Sequence, residues 1–299
     1  MVFSLSTQQF AAVRNIAAIL YRMWGNVLPT HGRFGLTQPQ IPETPPMFDT
    51  SPAVESLAQL LADTRRGDTP IATAPAAWLP VDTNAAYAVQ LRTLDLLGET
   101  IAAWKVGAKS PMDVHNCAPI PASVVSEAGG ALALGNFFRP GLELEIAFRL
   151  ARDIKPGRYD ERDALLFVGE TLTTIEITDS RFAQTGLDSR FALADLQNNG
   201  ALVVGSGRDY TGSLEYMKPK LSFTLDGAAI TPMRAGHNTG GDPRELFTWL
   251  VNHNGKRGIT MRAGAIVTCG SYVGMIPASG PGLLRGTIDG IGEVSVTLT

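Results

Sequence analysis

Residues 141–154, GLELEIAFRLARDI, constrain the fold of this chain more than any other stretch. Extended, the segment turns Leu142, Leu144, Ile146, Phe148 and Leu150 one way and Glu143, Glu145, Ala147 and Arg149 the other. A period of two held over nine residues predicts a strand with one apolar face. The opposite face carries two carboxylates side by side, with Cβ atoms roughly 7 Å apart. Such a face is either washed by water or turned into a site.

The flanking sequence sets that strand in a mixed fold. Ser51 and Pro52 open a segment with Leu57, Leu60 and Leu61 at helical spacing, ended by Gly67 and Pro70. A second helix is predicted from about Asn84 to Leu97, closed by Gly98. Residues 101–111 form a short strand running into a loop. Residues 111–130, with Pro111, Pro119, Pro121, Gly129 and Gly130, read as loop and turns. Residues 158–170 read as a helix with an acidic first turn, and residues 171–182 as a β-branched strand. After Gly200 the pattern is mostly β, with a hairpin turning at Asp226 and Gly227. It is interrupted by a helix with Asp242 as N-cap, Pro243 in its first turn and Gly255 as terminator. Strand–helix–strand alternation is scarce, which argues against a doubly wound sheet. The predicted class is α+β, a mainly antiparallel or mixed β roll with an N-terminal helical part.

Composition removes several function classes. At 44% hydrophobic and 18% charged residues, 299 residues can bury a sizeable core. A net charge of −3 with no long run of one sign argues against nucleic acid. No apolar run reaches membrane-spanning length, so no membrane partner is expected. Cys117 and Cys269 are far apart and in no metal-like spacing, which predicts a reducing, cytoplasmic setting without a disulfide. Residues 1–42 contain no Asp or Glu and lead into the proline-rich TQPQIPETPP. We expect residues 1–50 to be a disordered extension, or a non-native one with the true start at Met47, rather than an organelle presequence. Residues 51–299 then form one domain, helical over 51–100 and β-rich over 101–299.

A third acid stands in TIEITDSRF, where Ile175 and Ile177 face one way and Glu176 the other. Three converging carboxylates would raise one another's pKa values, and a divalent cation removes that conflict. Hard oxygen ligands suit Mg²⁺ or Mn²⁺. The ordinary alternative for a Glu-x-Glu pair is a solvated outer face. Asp179 and Arg181 beside Glu176 could equally be a local ion pair.

Four motifs in order, WKVGAKS at 104–110, GLELEIAFRLARDI at 141–154, TIEITDSRF at 174–182 and GSYVGMIP at 270–277, resemble one known branch. It is the 2-keto-4-pentenoate hydratase, or 2-oxohepta-3-ene-1,7-dioate hydratase, branch of the fumarylacetoacetate hydrolase superfamily. The resemblance spans about residues 51–299 and implies a β-rich roll in a homodimer or larger assembly. It implies that Glu143, Glu145 and Glu176 hold Mg²⁺ or Mn²⁺. It gives Lys105 and Ser271 catalytic and substrate-binding roles, and places Asp179 and Arg181 against the substrate. The family's loop acid falls near Ile120, and Asp113 and Glu127 flank that place without aligning. His115, His237, Asn198 and Asn199 are polar candidates without a role.

The chemistry so implied acts on a small-molecule 2-oxo acid, as in the catabolism of aromatic compounds. A cation chelated by the substrate's carboxylate and 2-oxygen stabilises its enolate, and water adds at C4 to give a 4-hydroxy-2-oxo acid. A decarboxylase of the 4-oxalocrotonate type, or a C–C hydrolase of acylpyruvates, would need the same metal and enolate. The wording of the motifs is nearest the hydratase. The missing acid at Ile120 instead supports a non-catalytic homologue. No G-x-S-x-G elbow and no G-x-G-x-x-G after a strand are present, so neither a serine hydrolase nor a dinucleotide site is supported.

Overall fold

The first helix, α1 (Pro52–Arg66), starts where the Ser51 hydroxyl accepts the Val54 N–H. The second, α2 (Thr83–Leu97), starts where the Asp82 carboxylate accepts the Ala85 N–H at 2.8 Å and stops at Gly98, whose φ of 71° a side chain would resist. Leu57, Ala58 and Leu61 of α1 and Ala86 and Val89 of α2 are fully buried in the same core as Trp104. These positions come from a computed structural model, which describes residues 51–232 and 236–299. The expectation for residues 1–50 lies outside the described residues.

Two sheets follow. The larger runs β2 (Asn116–Pro121), β1 (Ile101–Gly107), β10 (Ile266–Ser271), β5 (Gly141–Leu150), β6 (Val168–Thr178), β7 (Asn199–Asp209) and β3 (Val125–Glu127), with β11 (Ile276–Pro277) also paired to β5. Its β1–β10 and β3–β7 pairs are parallel and the others antiparallel. The smaller runs β4 (Ala131–Leu132), β13 (Gly292–Leu298), β12 (Gly282–Ile288), β8 (Leu221–Leu225) and β9 (Ala228–Ala229). Three further helices, α3 (Glu161–Leu165), α4 (Ser189–Ala194) and α5 (Pro243–Lys256), lie between strands. The mixed α+β class read from the sequence is the one observed.

Glycines let the two sheets touch. A Cβ on Gly205 of β7 would stand 2.3 Å from the Glu293 carbonyl of β13 and 2.7 Å from that of Thr173. One on Gly292 would stand 2.3 Å from the Ser206 carbonyl. The apolar face of β5 looks into this interface, with Leu144 fully buried over Gly286. On the acidic face of β5, Glu145 is 3% exposed and Glu143 partly buried.

The predicted hairpin is present, with positive φ at Asp226 (49°) and Gly227 (80°), as a tight two-residue turn needs. Residues 111–130 are not all loop, because β2 and β3 lie within them. Pro119 and Pro121 sit on β2, which pairs on one side only, and an edge strand tolerates the missing N–H. The helix predicted over 158–170 shrinks to α3, because Val168 to Glu170 join the ladder with β5. Gly255 does not end α5, which continues to Lys256. It is there because a side chain would meet the Gly157 carbonyl at 2.4 Å.

Candidate active site

Strand register brings the three glutamates together. Glu143 on β5 stands directly opposite Glu176 on β6, and Glu145 opposite Thr174. On the other side of β5, Ser271 of β10 stands opposite Glu145. Next comes β1, with Lys105 opposite Thr268 of β10. Carboxylate oxygens of Glu143, Glu145 and Glu176 all lie within 4.8 Å of one another.

The Lys105 ammonium donates to Glu176 Oε1 at 2.6 Å and to the Gln197 carbonyl at 3.1 Å. Asn199 Nδ2 donates to the same Glu176 oxygen at 2.9 Å. The Thr268 hydroxyl donates to Glu145 Oε2 and lies 3.0 Å from the Thr174 hydroxyl. Glu176 Oε2 is buried and has no partner among the described residues.

Burial, reinforced by the Glu176 charge and opposed by Lys105, pushes the Glu143 carboxyl up to about 7. Burial and then the charges of Glu176 and Glu143 push Glu145 well above the usual carboxylate range. For Lys105, burial alone would lower the ammonium, but Glu176, Glu143 and Glu145 outweigh it and hold the group above its ordinary value. An all-oxygen cluster of mutually repelling acids, with one buried oxygen left unsatisfied, fits a hard divalent cation.

The cluster opens into a cavity of about 1220 Å³ lined by Lys105, Glu143, Glu145, Asp179 and Ser271. The Ser271 hydroxyl donates to the Gly274 carbonyl at 3.0 Å and accepts the Val273 N–H at 3.3 Å, so it also shapes its own turn. Asp179 accepts the N–H groups of Phe138 (3.1 Å) and Arg139 (2.7 Å), fixing a wall loop. Arg181 does not line the cavity. It is buried, bonded to Asp195 at 3.2 Å and to the Asn199 carbonyl at 2.9 Å. Ile120 is fully buried on β2 opposite Ala103. Of its acidic neighbours in sequence, Asp113 lines the cavity, accepting the Ser110 hydroxyl at 2.9 Å, while Glu127 does not line it. His115 and His237 do not line it either. Thr268, Gln197 and the use of Asn199 escaped the sequence reading. Each acts across strands or through a backbone atom, which leaves no local pattern.

No family model matches the chain. It is 26% identical over 228 residues to a 2-keto-4-pentenoate hydratase of Burkholderia vietnamiensis, covering 73% of this chain and 87% of that one. It is 27% identical over 220 residues to a 2-hydroxyhexa-2,4-dienoate hydratase of Comamonas testosteroni, covering 70% and 82%. The chain is thus similar over most of its length to curated hydratases of this kind. Its fold is shared with 4-oxalocrotonate decarboxylase from Pseudomonas putida G7, solved with magnesium and adipate, at a TM-score of 0.72 and 17% identity over 82% of this chain and 97% of that one. A fumarylacetoacetate hydrolase family protein from Yersinia pestis CO92 superposes with a TM-score of 0.51 at 16% identity, covering 67% of this chain and 94% of that one.

Proposed function

We propose that this chain is a hydro-lyase that adds water to a 2-hydroxydienoate, or its 2-oxo-enoate tautomer, to give a 4-hydroxy-2-oxo acid. The observation that carries it is the convergence of Glu143, Glu145 and Glu176 beside a charged Lys105 at the cavity wall. Its curated relatives, named as hydratases of such acids, support the same reading.

Glu143, Glu145 and Glu176 would hold the ion, which we take to be Mg²⁺ or Mn²⁺ from the all-oxygen donor set. A divalent cation held there supplies Lewis-acid stabilisation to the enolate of a 2-oxo acid. Lys105 has three donors, and two are engaged by Glu176 and the Gln197 carbonyl. The third is free for the substrate carboxylate. Hydrogen-bonded to Glu176 and to the Gln197 carbonyl, Lys105 would serve as a cationic anchor for the substrate carboxylate or in proton transfer. Ser271 and Asp179 present polar atoms to the cavity while holding the turns that shape it. A homodimer or larger assembly in the cytoplasm is the setting we propose for the reaction.

The test uses purified chain stripped of metal with a chelator. Loss of the dienol absorbance of 2-hydroxypenta-2,4-dienoate is followed with and without Mg²⁺ or Mn²⁺, and the product is identified by NMR. A metal-dependent 4-hydroxy-2-oxo acid supports the reading. Release of CO₂ from 4-oxalocrotonate without any hydration would replace it with a decarboxylase. Cation binding without turnover of either acid would leave a binding homologue.

A further inference from the structure

We infer that Asn199 is a positioning residue for Glu176, and that the left-handed turn at Leu196–Asn198 serves to deliver it. This rests on the reading of Glu143, Glu145 and Glu176 as a cation site. Leu196, Gln197 and Asn198 have φ of 48°, 53° and 56° in succession. Residues with a side chain seldom adopt this region even singly, and leucine is a poor candidate for it. Such a backbone persists only where its surroundings over-determine it.

Here the surroundings do so at both ends. Asp195, fully buried at the head of the turn, accepts Arg65 Nη2 at 2.9 Å, the Arg181 N–H at 2.7 Å and Arg181 Nε at 3.2 Å. The Asn198 N–H closes the turn on the Asp195 carbonyl at 2.9 Å, and the Asn198 carbonyl accepts the Asp179 N–H at 2.7 Å. At the exit, the Asn199 carbonyl accepts Arg181 Nη2 at 2.9 Å and Arg65 Nη2 at 3.3 Å. Arg181, buried, and Arg65, partly so, thus hold the entry and the exit of one strained turn.

The turn delivers two groups to one ion pair. Its Gln197 carbonyl meets the Lys105 ammonium, and Asn199 Nδ2, two residues on, meets Glu176 Oε1. Glu176 Oε1 therefore has two donors in different directions, which fixes the rotation of the carboxylate. Its Oε2, buried and without a partner among the described residues, is left for the cation. An extended backbone through 196–198 would carry the carbonyl and the amide away together. Asn199 is fully buried and does not line the cavity, so it cannot touch the substrate. Any effect it has on the site passes through Glu176.

The test is a calorimetric titration of Mn²⁺ into metal-free wild type, Asn199→Ala and Asn199→Ser, with melting temperatures confirming that each is folded. Serine removes less volume than alanine would leave empty, yet is too short to reach Glu176. We expect affinity to fall about 10–100-fold, the usual effect of losing a group that orients a metal ligand. In a Glu176→Gln background, adding Asn199→Ala should change the residual affinity less than about twofold, since the residue acts through that carboxylate. A folded Asn199 variant within about twofold of wild type, or an undiminished loss in the Glu176→Gln background, would overturn the inference and leave the cation site standing. Wild type that binds no Mn²⁺ would overturn the cation site and this inference with it.

Discussion

Replacing Lys105 with methionine measures how far the site is held by its own lysine in the absence of a cation. The Lys105–Glu176 contact is 2.6 Å long, with side chains 11% and 0% exposed, so Glu176 has little access to water with which to replace the ammonium. Methionine keeps the aliphatic stem and removes the charge. Breaking a buried pair by removing one partner costs about 3–5 kcal/mol, because the other charge stays buried alone. Part of this is relieved by proton uptake. Glu143 already titrates at about 7 and rises further when its opposing cation is lost. At about 1.4 kcal/mol per pKa unit, that relief is on the order of 1 kcal/mol. The net loss is then about 2–4 kcal/mol, or roughly 5–15 °C in melting temperature for a domain of this size. The assay is thermal unfolding of metal-free protein near neutral pH. Lys105→Met combined with Glu176→Gln should recover more than half of the loss, since the carboxylate that lost its partner is then neutral. A single variant melting within about 2 °C of wild type would refute the reasoning. So would a double variant as weak as the single one. With metal restored, turnover of the single variant should fall at least about 100-fold, as when other charged or donor groups aimed at a developing anion are removed.

Three further outcomes are expected. Thr268→Val keeps the shape of the side chain but removes the hydroxyl that donates to Glu145, so Mn²⁺ affinity by calorimetry should fall about tenfold, and an unchanged value would show the bond to be incidental. Gly205→Ala, which would meet backbone carbonyls at 2.3 Å and 2.7 Å, should lower stability in urea by about 1–3 kcal/mol or more. Gly212→Ala, with nothing within 4 Å, should stay within about 0.5 kcal/mol, and similar values for the two would mean that the sheets do not meet as described. His253, stacked on Trp249, is held down to about 4 by burial first and then by Arg257 and Lys256, against an ordinary value of 6.5. The unfolded chain therefore takes up this proton first, and stability should fall as pH drops from about 6.5 towards 4. A His253→Phe variant should lose that part of the slope in urea titrations across the window, and parallel slopes would contradict it.

The sequence determined those parts of this protein that rest on neighbours in the chain. Alternation alone marked β5 and put Glu143 and Glu145 on its second face, because side-chain direction in a strand depends only on position. Caps did the same for the helices: Ser51 and Pro52, Gly98, and Asp242 with Pro243 are local hydrogen-bonding and φ requirements that need no tertiary partner. Three acids in two strands suggested a metal, and four ordered motifs suggested its chemistry. Proline misled, since Pro119 and Pro121 look like loop residues until β2 is known to be an edge, and edges exist only in an assembled sheet. Only the tertiary structure set Glu143 opposite Glu176, because register is a relation between two strands. It placed Lys105 on β1 beside β10, parallel and more than 150 residues away in the chain, and so made it a buried cation. It also paired Arg181 with Asp195 rather than with a ligand, and bent Leu196–Asn198 into a conformation that no local preference favours. Those features are decided by charges and carbonyls brought together from distant strands, where the energy of burying an unpaired polar group outweighs the propensities of the residues themselves.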